Sequence, residues 1–165
     1  MSSSSSTNIK VGVRVRPALH REISPNGSFN ACIGLRPSKS RIYVTTSDKP
    51  ILVNKEDVND SFNKRTQCIN YTYNHVFSSE SSTEHVYNTM CKSATEDILN
   101  GINSTVFGYG QTGTGKTHTM FGSSFQPGLA FLFMNDLLLS TCNNDFNISQ
   151  VSIKVSYLQL YRGHV

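Results

Sequence analysis

The 165-residue sequence predicts an α/β fold in which a strand runs into a glycine-rich loop and then a helix. Three observations carry that prediction. Segments with period-two alternation take turns with segments whose apolar residues recur at helical spacing. The stretch "GYGQTGTGKTHTM" (108–120) places four glycines within eight residues. On either side of it stand a short apolar run, "STVFGY", and "KTHTM", where a helix is expected to begin.

In chain order, "IKVGVRV" from Ile9 to Val15 alternates like a half-buried strand, which Pro17 ends because proline cannot donate to a ladder. Between Ser28 and Val53 the runs "SFNACIGL", "RIYVTT" and "ILV", split by Pro37 and Pro50, predict small strands of a meander or edge subsheet. The polar "VNKEDVNDSFNKR" predicts a loop, and the β-branched and aromatic "CINYTYNHVF" a further strand. Ser81 and Glu84 have capping-box spacing, and Val86, Met90, Ala94 and Ile98, flanked by Tyr87, Cys91 and Leu99, form a helical apolar stripe. Gly101 is placed to end that helix in a left-handed conformation. "STVFGY" predicts a strand buried on both faces. After the turn-forming "GSSFQPG", the Leu-, Phe- and Met-rich "LAFLFMNDLLLSTC" predicts a buried helix, and "ISQVSIKVSYLQLY" returns to strand alternation.

Composition suits one globular domain, with 37% apolar and 16% charged residues. "MSSSSST" lacks the basic and apolar regions of a signal peptide, so residues 1–7 are expected to form a disordered Ser-rich tail ahead of a domain from 8 to 165. No apolar run approaches the ~18 residues of a membrane span, and none is expected. Cys32, Cys68, Cys91 and Cys142 form no Cys-x-x-Cys pair, which suits reduced thiols in a cytosolic protein. The net charge of +4 is concentrated early, in Lys10, Arg14, Arg16, Arg21, Arg36, Lys39 and Arg41. Such a bias would suit an acidic filament or nucleic acid, but a solvated surface accounts for it and no nucleic-acid partner is expected.

Gly110, Gly115, Lys116 and Thr117 satisfy G-x-x-x-x-G-K-[ST], with Gln111, Thr112, Gly113 and Thr114 between them. Glycines let successive backbone N–H groups turn inward toward phosphate oxygens, and a following helix N-terminus favours an anion. In that chemistry Lys116 bridges the β- and γ-phosphates and Thr117 offers its hydroxyl to Mg²⁺. Composition alone would produce the pattern in under about 1% of such chains. ATP with Mg²⁺ is therefore the expected ligand.

The residues around the loop are more specific. "STVFGYGQTGTGKTHTM" resembles the phosphate-loop region of kinesin motor domains. "IKVGVRVRP", "YNHVFSSESSTEHVYNTMCKSATEDILNGIN" and "IKVSYLQLY" resemble further motifs of the same family in the same order. The resemblance implies a P-loop NTPase fold and an ATP-driven microtubule motor of the cytoplasmic cytoskeleton. Arg14, Arg16 and Pro17 match the family's R-x-R-P motif beside the adenine, and His118 matches the residue packing on the base's other face. The helix the family places after the loop also decides the reading of "FLFMND". Asp136 is expected on a helix surface, and not at a strand end as a Mg²⁺ ligand.

The family's S-S-R-S-H and D-L-A-G-S-E switch motifs do not occur in these residues, and the resemblance stops at Arg162. The sequence is accordingly expected to be the N-terminal portion of a motor domain, with an incomplete central sheet, no ATPase cycle of its own and a tendency to associate through unpaired edges. A truncated motor acting as a nucleotide- or partner-binding protein is the alternative. A small kinase would need an arginine-rich lid, yet after Thr117 only Lys154 and Arg162 are basic apart from His118 and His164.

Overall fold

The computed structural model describes residues 9–23, 33–36, 40–45, 68–143 and 152–160. The Ser-rich tail, the "ILV" run and the "VNKEDVNDSFNKR" segment lie outside them.

Strand β1 (Gly12–Arg14) pairs in parallel with the later strand β5 (His75–Phe77), Val13 opposite Val76 and Arg14 opposite Phe77. It is shorter than the alternation from Ile9 to Val15 implies. Val11 meets the segment ahead of β5 through an asparagine instead, its N–H donating to Asn74 Oδ1 at 2.8 Å. A Cβ added at Gly12 would lie 3.1 Å from Met90 Cε, so the strand passes close beneath the following helix.

The expected small sheet is present as an antiparallel meander of β2 (Ile33–Arg36), β3 (Arg41–Thr45) and β4 (Cys68–Thr72), burying Ile42 and Tyr43. "CINYTYNHVF" is therefore not one strand. It divides at Tyr73 and Asn74, giving β4 to the meander and β5 to the parallel pair. Val11 O accepts from Asn74 N–H at 3.0 Å and so fixes the crossing point.

One continuous helical stretch follows, made of α1 (Thr83–Val86), a π turn (Tyr87–Cys91) and α2 (Lys92–Leu99). Its cap is Ser82 and not Ser81. The His85 N–H donates to Ser82 Oγ at 3.0 Å, so the capping serine stands one residue later than the Ser81–Glu84 spacing implies. Ser81 is engaged elsewhere, its carbonyl by Arg14 and its hydroxyl by Ser78. The far end stops as expected: Gly101 has φ +77°, its N–H donates to Ile98 O at 2.9 Å, and Ile102 N–H donates to Asp97 O at 2.8 Å. These are the two bonds of a Schellman motif.

The π turn was not legible in the stripe, and it has a consequence for packing. Residues eight apart on a regular α-helix stand about 80° apart around its axis. One wide turn between positions 87 and 95 reduces that angle and brings Tyr87 and Thr95 onto a shared face, their hydroxyls 3.2 Å apart. Both reach the helix α4 (Leu129–Asn143): Tyr87 Oη donates to Asp136 Oδ2 at 2.7 Å and Thr95 Oγ1 at 3.2 Å. Asp136 is thus on a helix, as expected, but it is half-buried at a helix–helix contact and not on an open surface. Phe77, Val86, Tyr87, Cys91 and Leu129 form the core, with Met90, Met120, Leu132 and Phe133 against it. Full burial of such side chains stabilises by about 1.5–3 kcal/mol each.

The Tyr87–Asp136 bond is open to test. Burial, reinforced by the Asp136 carboxylate, pushes the Tyr87 phenol up from 10.0 to about 12. A raised acid favours the protonated form in the fold, so this stabilisation is complete below pH 10 and lost as pH rises toward 12. Tyr87→Phe is expected to cost about 1.5–3 kcal/mol at neutral pH, as for a hydrogen bond to a charged group. Urea unfolding at neutral pH and near pH 11 would show that cost, together with a flatter alkaline loss in the variant.

Helix α3 (Lys116–Phe121) leads through a tight hairpin, β6 (Gly122–Ser123) with β7 (Gln126–Pro127), directly into α4. The helix α4 is where "LAFLFMNDLLLSTC" predicts it, but only one side is covered; Phe131, Leu138 and Leu139 are exposed. An open apolar cavity of about 230 Å³ lies between α2, the segment at 104–106 and α4, lined by Ala94, Ile98, Val106, Leu129 and Phe133 among others.

Two expected strands are not strands. "STVFGY" and the described part of "ISQVSIKVSYLQLY" (152–160) join no ladder among the described residues, and Tyr109 is 96% exposed. A strand exists only where a neighbour takes its N–H and C=O groups, and no described strand runs alongside either segment. Their apolar side chains, including Phe107, Val155 and Leu158, face outward. No described helix is long and apolar enough to cross a membrane.

Candidate nucleotide-binding site

The loop begins at Gly110 with φ +153°, continues through Gly113 at +84°, and ends at Gly115 at +92°. Gly115 is the N-cap of α3, held in the left-handed region that a side chain would disfavour, and its carbonyl accepts from Thr119 N–H at 2.9 Å. Inside the loop, Thr114 Oγ1 donates to Gln111 O at 2.7 Å. Lys116 reaches back across the turn, its Nζ donating to Gly110 O at 2.8 Å and Gln111 O at 2.9 Å. The ammonium is therefore bonded to the carbonyls of the loop's first two residues. Gln111, Thr112, Gly113, Thr114, Thr117 and His118 are all exposed.

The R-x-R-P residues come to this loop by way of β1. Arg16 is the nearer, its Cβ 3.9 Å from a Cβ added at Gly115. Its guanidinium is held by Glu22, at 2.7 Å and 2.5 Å, and by Pro17 O at 2.9 Å. Glu22 also accepts from Leu19 N–H at 2.8 Å, closing the short 3-10 turn His20–Glu22 after Pro17, which is itself exposed. Arg14 has a different set of partners. Its guanidinium is partly buried and donates to Ser81 O at 3.0 Å, Thr83 Oγ1 at 3.2 Å and Thr119 Oγ1 at 3.1 Å. Burial lowers its pKa from the ordinary value.

Over residues 14–165 the chain matches the family described as kinesin motor domain. The chain belongs to the kinesin motor domain family. Its kinesin relatives include kinesin-related protein 4 of Dictyostelium discoideum, 36% identical over 137 residues that make up 83% of this chain and 7% of the relative. Kinesin-like protein KIN-8B of Arabidopsis thaliana is 31% identical over 160 residues, 94% of this chain and 18% of that protein. Human kinesin-1 heavy chain is 40% identical over 94 residues, 55% of this chain and 10% of that protein. The chain thus spans between 7% and 18% of the length of these three kinesins.

For this kinesin sequence the P-loop NTPase fold is that of its family, and Arg14 of β1 joins Thr119 of the loop helix α3 by a hydrogen bond. Two site-shaping residues were missed in the sequence. Glu22 carries no motif, and its only signal is an acid six residues after Arg16 across a proline turn. Thr119 stands in "KTHTM" two residues after Thr117, on the other side of a helix that turns about 100° per residue.

Hydrogen bonds from Arg16, and after them the one from the Leu19 N–H, hold the Glu22 carboxyl at about 2. A depressed acid contributes stability above its ordinary value of 4.5, and that contribution is lost as pH falls through about 2. Titration of the Glu22 side-chain carboxyl by NMR is expected to show a midpoint well below the ordinary range. In Arg16→Ala the midpoint returns toward it.

Proposed function

We propose that the chain is the ATP-binding portion of a microtubule motor, holding Mg-ATP on residues Gly110 to Thr117. The observation that carries the reading is the Lys116 ammonium, held over a glycine loop that opens into α3. Phosphate oxygens would take the place of the two carbonyls as acceptors, and charge-assisted bonds to phosphate are stronger than bonds to neutral carbonyls. The family resemblance assigns Arg14, Arg16, Pro17 and His118 to the base; of the two arginines Arg16 stands beside the loop, while the Arg14 guanidinium is engaged by Ser81, Thr83 and Thr119.

The donor set fits Mg²⁺. That ion takes one or two protein oxygens and keeps water and phosphate for the rest, and Thr117, exposed at the second position of α3, supplies one hydroxyl. When bound, the ion neutralises charge on the β- and γ-phosphates. The chain's own part is to fix the phosphates by backbone N–H groups and Lys116.

Microtubules are the partner and the cytoplasmic cytoskeleton the location that family membership supports. Residues 1–165 contain neither switch motif, and hydrolysis depends on groups that place the attacking water. This polypeptide on its own therefore binds nucleotide without turnover. Phosphate release should be measured with Mg-ATP and microtubules, using Lys116→Ala as background. The expected rate equals that background, and a microtubule-stimulated rate above it contradicts the non-hydrolysing half of the reading.

A further inference from the structure

We infer that Arg14 is a positioning residue for the phosphate loop, clamping the loop helix α3 to the start of α1 through Thr119, Thr83 and Ser81. The inference rests on the nucleotide reading of the loop. Its starting point is where the guanidinium goes. Nη1 donates to Thr119 Oγ1 at 3.1 Å and to Thr83 Oγ1 at 3.2 Å, and Nη2 donates to Ser81 O at 3.0 Å. The planar fork of arginine serves three oxygens at once, one on α3, one on α1 and one in the turn before α1, which the single ammonium of lysine cannot reproduce in the same geometry.

The clamp has a fixed side and a carried side. Arg14 lies opposite Phe77 in the parallel pair, and the next residue, Val15, donates its N–H to Phe77 O at 3.0 Å. Phe77 belongs to the core, and Thr83 is buried at the first position of α1. On the carried side, Thr119 sits in the six-residue α3, with its N–H bonded to Gly115 O at 2.9 Å. A pull on Thr119 is thus transmitted directly to the glycine that caps the loop. The two arginines of the motif divide the work: Arg16 stands beside Gly115, and Arg14 sets the helix on which Lys116 and Thr117 are carried.

Thr119→Val and Arg14→Lys in the full 165-residue chain test this. Thr119→Val keeps the shape and deletes one acceptor, so it decides the matter even if Arg14→Lys folds poorly. Amide hydrogen exchange across 116–121 is measured without nucleotide, with α4 as the internal reference. Affinity is measured for Mg-ATP and for Mg-tripolyphosphate, which has no base. Both variants are expected to speed exchange in α3 about 2- to 10-fold, the effect of one lost hydrogen bond. Both ligands should weaken by one common factor. If ATP weakens while tripolyphosphate does not, Arg14 acts on the base and the inference is overturned. Unchanged exchange in α3 for Thr119→Val overturns the clamp itself. Failure of the unaltered chain to bind either ligand overturns the nucleotide reading and the clamp's role in it, whatever the exchange shows.

Discussion

Gly122→Ala is expected to destabilise the chain by at least about 3 kcal/mol. Gly122 has φ +82°, and a Cβ there would lie 2.1 Å from Gln126 O and 2.4 Å from Gly128 N. Those are backbone atoms of the facing strand and of the residue that follows it, so no side-chain rotation relieves the clash. Relief requires opening the β6–β7 hairpin, and that hairpin sets α4 against α3. Leu129 and Asp136 would then lose their seats in the core and at Tyr87. Gly101→Ala is the matched control, since Gly101 has φ +77° but nothing within 4 Å of an added Cβ. Its cost is the conformational one alone, about 1–2 kcal/mol. Urea unfolding of both variants should show the larger drop for Gly122→Ala. Equal drops would mean that the hairpin yields easily and does not position α4.

Lys116→Ala is expected to weaken Mg-ATP binding about 10- to 150-fold. Two bonds from Nζ to phosphate oxygens would together suggest about 3–6 kcal/mol, at 1.5–3 kcal/mol for each charge-assisted bond. The structure argues for less. Lys116 already donates to Gly110 O and Gln111 O, and binding exchanges those bonds for new ones. About half of the gross value remains as the net gain, and each 1.4 kcal/mol is a factor of ten. The same two bonds brace the loop, so the variant should also loosen residues 110–115. Lys116→Arg is the informative companion. It keeps the charge, and its fork does not fit the two carbonyls of a loop built for a point charge.

What could be read from the residues was local chemistry with a tight spacing rule. The phosphate loop needs glycines at fixed offsets before a lysine, and the Schellman end of α2 needs a glycine at one position. Both are where the residues put them. The short meander followed from Pro37 and alternation. Legibility failed where the deciding partner was distant. "STVFGY" reads as a strand from its residues alone, yet a strand is a relation between two segments, and no described neighbour supplies the other half. "CINYTYNHVF" reads as one strand because the turn at Asn74 depends on Val11, 63 residues away. The π turn was hidden because a stripe at helical spacing assumes a constant angle per residue. With it were hidden Thr95 and the half-buried Asp136. In the candidate site, Lys116 and Thr117 are proposed from their motif, whereas Glu22 and Thr119 make their bonds to the two arginines through side chains that no spacing rule marks.

The most direct test is a calorimetric titration of Mg-ATP into the 165-residue chain, with Lys116→Ala alongside. Binding in the micromolar to sub-millimolar range, about 5–8 kcal/mol, with one ligand per chain and a weakening of at least tenfold in the variant, is the predicted result. No saturable binding by the unaltered chain, or the same affinity in both proteins, would contradict it and remove the phosphate loop as the site.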